Sequence, residues 1–517
     1  MSVLSFSLPR QRGSLAAALV PWVIGLIIGL DYFDNALFAF FASYISGGVS
    51  ASADELVWSS SAYAFGAVIG ILQQHAWVER IGYRRYLAIS MFAFAAGGIG
   101  AGLSDNSVQL MMARGMQGYF IGPMLGACRI FIQLSIPLQW RAWTLRIFMT
   151  FIVFCGALAP IIGAYLVANF EWNWLFYSTV PVAVLAGLLV LWVLPDVGDV
   201  PAHERTEPHY LAYIVFALAQ AALQVVMART HSELFLGSPG LIGLALAGLV
   251  GLGWFAYHQW QHPSPLVRLQ GLRESSFQVG LILYGVYYYL STSLNYLLPR
   301  LMEGGLGFTV DNAGYFTGMM ALIGGLSVFA YMKVSARITR KRWVVVPGFL
   351  VIALISWWLA RVSPQADRLH LAVPLLLRGL MTPLVMMPVA GVTFRVFQGV
   401  DYAHSYRLKN LLRQLAISFA TANVIALQQH RLALHETRLS ESANLGNPVF
   451  MQTLDMLTRG FEAAGHAAAQ AHAMALATLA RTFEQQATFM ASLDGFEIIA
   501  VVAVVAALFT ASRKALD

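Results

Sequence analysis

Residues 57–103 read VWSSSAYAFGAVIGILQQHAWV, then ERIGYRR, then YLAISMFAFAAGGIGAGL. The outer two runs contain no Asp, Glu, Lys or Arg, and the seven residues between them hold one glutamate and three arginines. At 1.5 Å rise per residue, about 20 apolar residues cross a hydrocarbon core of about 30 Å. The stretch therefore reads as two transmembrane helices joined by a basic turn, Glu79 to Arg85, held on one side of the membrane.

The same pattern continues in both directions. Of the 517 residues, 58% are hydrophobic and only 11% charged, where a soluble domain carries about a quarter. That composition excludes a water-soluble enzyme. Further spans are predicted near 17–44, 107–134, 144–168, 173–194, 208–228, 238–257, 275–298, 311–334, 343–360, 370–393, 408–428 and 492–511, about fourteen in all with the pair above. The first follows Arg10 and Arg12, is longer than a signal-peptide core and lacks a cleavage site, so it is expected to stay attached. With the N-terminus inside, the cytoplasmic connections hold Arg80, Arg84 and Arg85, Arg141 and Arg146, Arg205, Arg268 and Arg273, Arg337 to Arg342, then Arg395, Arg407 and Lys409. The opposite loops hold little beyond Arg229, Arg300, Arg361 and Arg368. This asymmetry places both termini in the cytoplasm. It also absorbs the net charge of +7, which in a soluble chain would point to nucleic acid; no nucleic-acid partner is expected. Cys128 and Cys155 lie in apolar runs without metal-ligand spacing.

Two irregularities divide the chain. Residues 430–490 form a long segment on the outside, rich in Ala, His, Gln and Glu, too polar to span and in part helical from Gly465 to Met490. His430, His435, His466 and His472 lie around it without convergent metal spacing, so no metal is expected. Near the middle, the loops Asp196–His209 and Gln259–Glu274 bracket two helices that look inserted. A faint repeat supports this: the Glu79–Arg85 turn is matched by Ala336 to Arg342, and Arg114-Gly115 by Arg378-Gly379, both offset by roughly 260 residues. The expected organisation is an N-terminal six-helix half (1–195), two inserted helices with linkers (196–273) and a C-terminal six-helix half (274–517) that includes the outer segment.

Local motifs carry a family resemblance. They are Leu30-Asp31 in the first span; Trp58-Ser59-Ser60-Ser61-Ala62-Tyr63; the Glu79–Arg85 turn; Arg114 to Gly118; Gly156 to Ala164; Trp172 to Pro181; and Ser492-Leu493-Asp494-Gly495-Phe496. Together and in order, the chain resembles the major facilitator superfamily, and within it the fourteen-helix drug:proton antiporter branch of EmrB-type exporters. The sequence departs from the family pattern at Glu79 (usually Asp), at His75 (usually Gly), and at Ala159 and Ala164 in the fifth span. The resemblance implies an all-α major facilitator fold of two six-helix halves plus two inserted helices.

Ionisable groups at membrane depth are costly to bury and mark pathways. Asp31 lies about 14 residues into the first span, roughly 20 Å along it, and Asp34 is one turn further on the same face. Both are candidate proton carriers; the resemblance favours Asp31, and Asp34 is alternatively a hydrated group near the outer headgroups. Arg114 matches the family arginine thought to assist proton transfer, or else bonds the first helix. Arg129 either binds an anionic group of a substrate or snorkels to the cytoplasmic face near Gln133 and Trp140. Tyr284, Tyr288 and Asn295 share one helix face and are candidate cavity residues. Gln220 and Gln224, an i,i+4 pair, are candidates for substrate or for helix-to-helix hydrogen bonds. Gating is expected from Glu79, Gly82, Arg84 and Arg85, from Gly156, Pro160 and Gly163, which permit close approach and bending, and from Arg378.

No P-loop, GxSxG or HExxH occurs, so no residues are present for ATP hydrolysis or the common membrane-enzyme chemistries; no cofactor and no enzyme activity are expected. The expected function is proton-coupled export of hydrophobic or amphipathic small molecules across a bacterial inner membrane. The resemblance adds a tripartite pump, with a periplasmic membrane-fusion adaptor and an outer-membrane channel as partners. Two alternatives stay open: a dedicated exporter of an aromatic acid or other endogenous metabolite, and a sensor or interaction protein that has lost turnover.

Overall fold

The computed structural model describes residues 14–201, 209–229, 237–397, 399–441, 443–444 and 446–513, and among these the secondary structure is entirely helical. In chain order the helices are α1 (Ser14–Phe40), α2 (Ala42–Gly48), α3 (Ala53–Gly102), α4 (Ser107–Ile121), α5 (Met124–Ser135), α6 (Leu138–Asn169), α7 (Trp174–Tyr177) and α8 (Thr179–Val193). They continue as α9 (Tyr210–Arg229), α10 (Pro239–Gln261), α11 (Ser275–Arg300), α12 (Val310–Gly325), α13 (Ser327–Val334), α14 (Arg342–Leu359), α15 (Arg368–Arg378), α16 (Met387–Thr393), α17 (Gly399–Glu441), α18 (Pro448–Ala463) and α19 (Ala468–Ser512). Eleven of the described helical stretches are long and apolar enough to cross a membrane. One of them, α3, holds two crossings, and α4 with α5 and α11 supply two more, which makes fourteen.

Local chemistry sets the breaks. Ser52 and Glu55 form a reciprocal capping box at the start of α3, and Asn106 accepts from the Gln109 N–H to start α4. Within α3 only Gly82 leaves helical geometry, at φ 75°, a backbone region that glycine occupies without penalty. The quoted stretch is therefore one kinked element with its basic turn at the kink. Loops around Gly82 define what we call the turn side of the bundle; the opposite face is the hairpin side.

Helix α1 packs on α6, and α3 on α4 and α8, around a core of Ile24, Ile27, Leu87, Met91, Phe131 and Phe148. Helices α11, α14, α17 and α19 build a second core around Phe277, Leu290, Phe349 and Phe496. These are the two six-helix halves. They meet along α6 and α12, and where α17 crosses α3 and α5. Helices α9 and α10 pair with each other, and α9 touches α3. Side chains such as Leu188, Trp192, Leu249 and Val250 are exposed, as expected of a surface that faces lipid.

Three expectations need correction. First, helix in 430–490 extends well beyond Gly465–Met490: α17 runs into the segment as far as Glu441 and α19 leads out of it from Ala468, and at 43 and 45 residues each is about 65 Å long, twice the bilayer core. The Ala, Gln and Glu in which the segment is rich are strong helix formers, and α18 packs on α19 through Leu454, Ala475 and Leu479. Gly465, at φ 94°, sits in the turn before α19 and not within a helix. Second, Arg407 and Lys409 do not lie in a cytoplasmic connection; α17 begins at Gly399, so both are inside the bundle, 2% and 1% exposed. Third, Asp34 is not a hydrated headgroup-level residue; it is 2% exposed and ion-paired. Arg10, Arg12 and Arg205 lie outside the described residues.

Candidate functional site

Between the halves lies a cavity of about 350 Å³ walled by α1, α3, α6, α11, α15 and α17. It reaches toward the hairpin side through Ala42, Leu56 and Arg300. On the turn side the halves are closed against each other: Val68, Ile71 and Leu72 of α3 pack with Leu411 of α17, and Arg129 of α5 donates to the Tyr402 hydroxyl at 3.0 Å.

Two buried ion pairs stand at this cavity. Asp34 accepts from Arg114 Nη1 at 2.8 Å, and Arg114 also donates to Gln117 Oε1 at 2.8 Å. The guanidinium is held between the rings of Phe38 and Tyr63, 4.3 and 4.4 Å from their centroids. This pair joins α1 to α4 within the N-terminal half. Asp31, fully buried, accepts through Oδ1 from Asn35 Nδ2 at 2.9 Å and from the Tyr63 hydroxyl at 3.2 Å. Its Oδ2 accepts from Arg413 Nη2 at 3.3 Å. Arg413 belongs to α17, so this second pair crosses from one half to the other. The three-residue offset of Asp31 and Asp34 on α1 lets one helix face serve both partners.

Arg413 was missed by the sequence reading. A charge inside the apolar span 408–428 was a sufficient signal by the same rule that picked out Asp31. One turn away on α17, Lys409 is buried among the rings of Tyr284, Tyr406 and Tyr288, at 5.0, 5.0 and 5.7 Å. Arg407 donates to the Leu266 carbonyl at 2.8 Å and ties α17 to the segment after α10.

The predicted cavity residues divide. Tyr288 and Asn295 line the cavity; Tyr284 does not, stacking beneath Tyr288 with centroids 6.1 Å apart. Arg378 lines it too and donates to Asn295 Oδ1, so it stands in the cavity wall and not only at a gate. Gln220 and Gln224 are outside the cavity: both are buried on α9, where Gln224 accepts from the Ser418 hydroxyl at 2.7 Å. Gln224 thereby makes a helix-to-helix contact with α17, while the Gln220 amide has no hydrogen-bond partner among the described residues. Arg129 is likewise outside the cavity; it is half-buried and donates to Tyr402, while Gln133 accepts from Arg141 at 3.0 Å.

Of the gating candidates, Gly156 and Pro160 line the cavity on α6, and Gly163 abuts the Phe41 ring so closely that a Cβ would overlap it. At the turn, Glu79 is 3.0 Å from His75 Nε2. The segment after α8 pins the kink, with Tyr83 N–H donating to the Val197 carbonyl at 2.8 Å and Val200 N–H to the Glu79 carbonyl at 2.9 Å. A Cβ on Gly82 would lie 2.9 Å from Asp196 Oδ1. Arg84 is half-buried and Arg85 exposed. At the hairpin-side mouth, beyond α11, burial raises the Glu303 carboxyl to about 7 against the opposing charge of Arg300. Among the described residues no group of three or more His, Cys, Asp or Glu could hold a metal ion.

The sequence profile of the Major Facilitator Superfamily matches residues 24–421. The fatty acid resistance protein FarB of Neisseria gonorrhoeae is 24% identical over 433 residues, 83% of this chain and 84% of that protein. The multidrug export protein EmrB of Escherichia coli K12 is 23% identical over 442 residues, covering 85% and 86%. The colistin resistance protein EmrB of Acinetobacter baumannii is 22% identical over 474 residues, 90% of each. Among solved structures, a D-xylose-proton symporter superposes with a TM-score of 0.62 at 15% identity, covering 96% of this chain and 97% of that one. At such identity the likeness is one of fold. From the profile match, the curated relatives and the two-half bundle together, the chain belongs to the Major Facilitator Superfamily, in the branch of the EmrB-type proteins, and is a multi-pass membrane transporter, not an enzyme.

Proposed function

We propose that the chain is a proton-coupled exporter of hydrophobic or amphipathic small molecules. The observation that carries this reading is the Asp31–Arg413 pair, a carboxylate of one half bonded to a guanidinium of the other beside an apolar cavity. Protonation of Asp31 from the hairpin side removes its charge and releases Arg413, so the halves separate on the turn side. Deprotonation toward the turn side restores the pair and closes that face. Substrate moves the opposite way through the cavity. A ligand shifts such a two-state equilibrium only by its differential affinity for the states, and one pKa unit of difference at Asp31 is about 1.4 kcal/mol. Relatives named for multidrug export and for resistance to fatty acid or colistin support an exporter of amphipathic cargo.

In this reading Asp31 carries the proton, Arg114 holds Asp34 within the N-terminal half, and Tyr288, Asn295 and Arg378 contact substrate. Gly82, Gly156, Pro160 and Gly163 permit the movement of α3 and α6. The two halves are residues 1–195 and 274–517, with 196–273 inserted. The turn side is cytoplasmic with both termini, the hairpin side is periplasmic, and the membrane is a bacterial inner membrane. The α17–α18–α19 hairpin then projects where a periplasmic adaptor and an outer-membrane channel would complete a tripartite pump. Gradient-driven flux by the purified protein in proteoliposomes tests the central claim. Uptake of a fluorescent amphiphile that appears with an imposed pH gradient and vanishes with a protonophore is expected. Flux indifferent to the gradient overturns it.

A further inference from the structure

We propose that the turn side of the C-terminal half carries a binding site for an anionic phospholipid, whose phosphate is held by Arg337 and Arg340 with Lys333 and Arg513 beside them. Residues 333–342 hold five cationic side chains in ten positions, Lys333, Arg337, Arg340, Lys341 and Arg342. No Asp or Glu occurs from 312 to 366 or from 498 to 516. Lys333 lies in the last turn of α13, and Arg337 is one turn further on. Helix α14 starts at Arg342, whose Nη1 donates to the Ala511 carbonyl at 3.4 Å and so brings the end of α19, with Arg513, to the same place. Lys333, Arg337, Arg340 and Arg513 are exposed, and among the described residues no carboxylate lies within ion-pair distance of any of the four. Crowded like charges repel, and the partial positive charge at the N-terminus of α14 adds to the repulsion. A bound anion relieves both.

The matching turn of the N-terminal half is built differently. There Arg80, Arg84 and Arg85 share the turn with Glu79, and the segment after α8 sets Asp196 against Gly82. That segment also pins the turn through the Val197 carbonyl and the Val200 N–H. The turn 335–341 has neither device. Among the described residues its backbone bonds are local, Trp343 N–H to the Arg340 carbonyl and Val344 N–H to the Lys341 carbonyl. Its side-chain bonds are local as well, Lys341 Nζ to the Ser335 carbonyl at 2.7 Å and the Ser335 hydroxyl to the Met332 carbonyl at 3.2 Å. The surface next to the turn fits one source of negative charge. Phe329, Val334, Trp343 and Leu508 are 39%, 48%, 65% and 66% exposed, and each lies beside a cation of the group or about one turn from it. A soluble anion gains nothing from such an apolar collar, whereas a phospholipid presents its phosphate and its chains together. Basic side chains at the edge of a bilayer attract anionic headgroups, and an exposed tryptophan sits well at the same level.

Native mass spectrometry of the full-length protein, released from detergent that holds equal amounts of phosphatidylglycerol and phosphatidylcholine with the same chains, reads the preference. The parent is expected to retain the anionic lipid at least tenfold over the zwitterionic one. Lys333→Gln, Arg337→Gln and Arg340→Gln together should abolish that excess. Arg80→Gln, Arg146→Gln and Arg273→Gln, which remove the same charge elsewhere on the turn side, should keep it. All six side chains are exposed, so both triple variants should melt at the parent's temperature. A second measurement needs no variant: in nanodiscs, the amides of 335–341 in the parent should exchange hydrogen more slowly in phosphatidylglycerol than in phosphatidylcholine. Inorganic phosphate added to the phosphatidylcholine discs should not slow them. Equal retention of both lipids by the parent, or equal exchange in the two kinds of disc, overturns the proposal. So does an excess lost alike from both triple variants, which means diffuse attraction by net charge, or protection by inorganic phosphate, which means a site for a free anion. Proton-coupled flux enters none of these readings, so the lipid site and the exporter stand or fall separately.

Discussion

Asp31→Asn is the most informative single change. Asn keeps the volume, and its carbonyl oxygen can still accept from Asn35 and Tyr63. Its amide N–H groups, however, would face the Arg413 guanidinium, donor against donor. At 3.3 Å and an effective dielectric constant of about 20, the lost attraction is about 5 kcal/mol. That agrees with the roughly 3–5 kcal/mol typical when one partner of a buried ion pair is removed. Asp31→Asn should therefore lower the thermal stability of the purified protein as well as stop gradient-driven export. The double variant Asp31→Asn with Arg413→Gln removes the stranded cation and should regain most of the stability while export stays absent. Denaturation in detergent gives the stabilities, and uptake into inverted vesicles with an acidic lumen gives the coupling. Two results refute the reasoning: a double variant no more stable than the single one, which would mean no pair, or normal gradient-driven uptake by Asp31→Asn.

Asp34→Asn should cost a similar 3–5 kcal/mol of stability but leave substrate-induced proton release intact, because both members of its pair belong to one half; loss of release would make Asp34 part of the coupling. The raised pKa of Glu303, about 7 against an ordinary 4.5, means the folded state keeps a proton that the unfolded chain gives up. Stability should fall as pH rises from about 4.5 to about 7, and Glu303→Gln should flatten that slope; equal slopes in parent and variant, followed by thermal melts across this range, would contradict it. Single cysteines at Ser440 and Ser275, both exposed, placed in a chain with Cys128 and Cys155 replaced, should react with an impermeant maleimide from the periplasm and only from the cytoplasm, respectively. The reverse pattern would invert the orientation.

The membrane class, the all-helical fold, the spans and the kinked basic turn were legible in the sequence because each is decided within about 20 residues. Apolar length must match the bilayer, charge must stay out of it, and a glycine must sit where φ is positive. Arg114 and Asp34 were legible as residues out of place in an apolar run. Their partnership was not, since 80 positions separate them. Asp31 and Arg413 are 382 positions apart, and what joins them is the docking of α17 against the N-terminal half. The same docking buried Arg407 and Lys409, which by sequence looked like ordinary topogenic charges, and it moved Gln220, Gln224 and Arg129 out of the cavity. Hydropathy sets how deep a residue lies along its own helix, but which face of the helix meets another is fixed by packing among all the helices at once. The spans therefore follow from the sequence by itself, and the ion pairs between them were decided only by the tertiary structure.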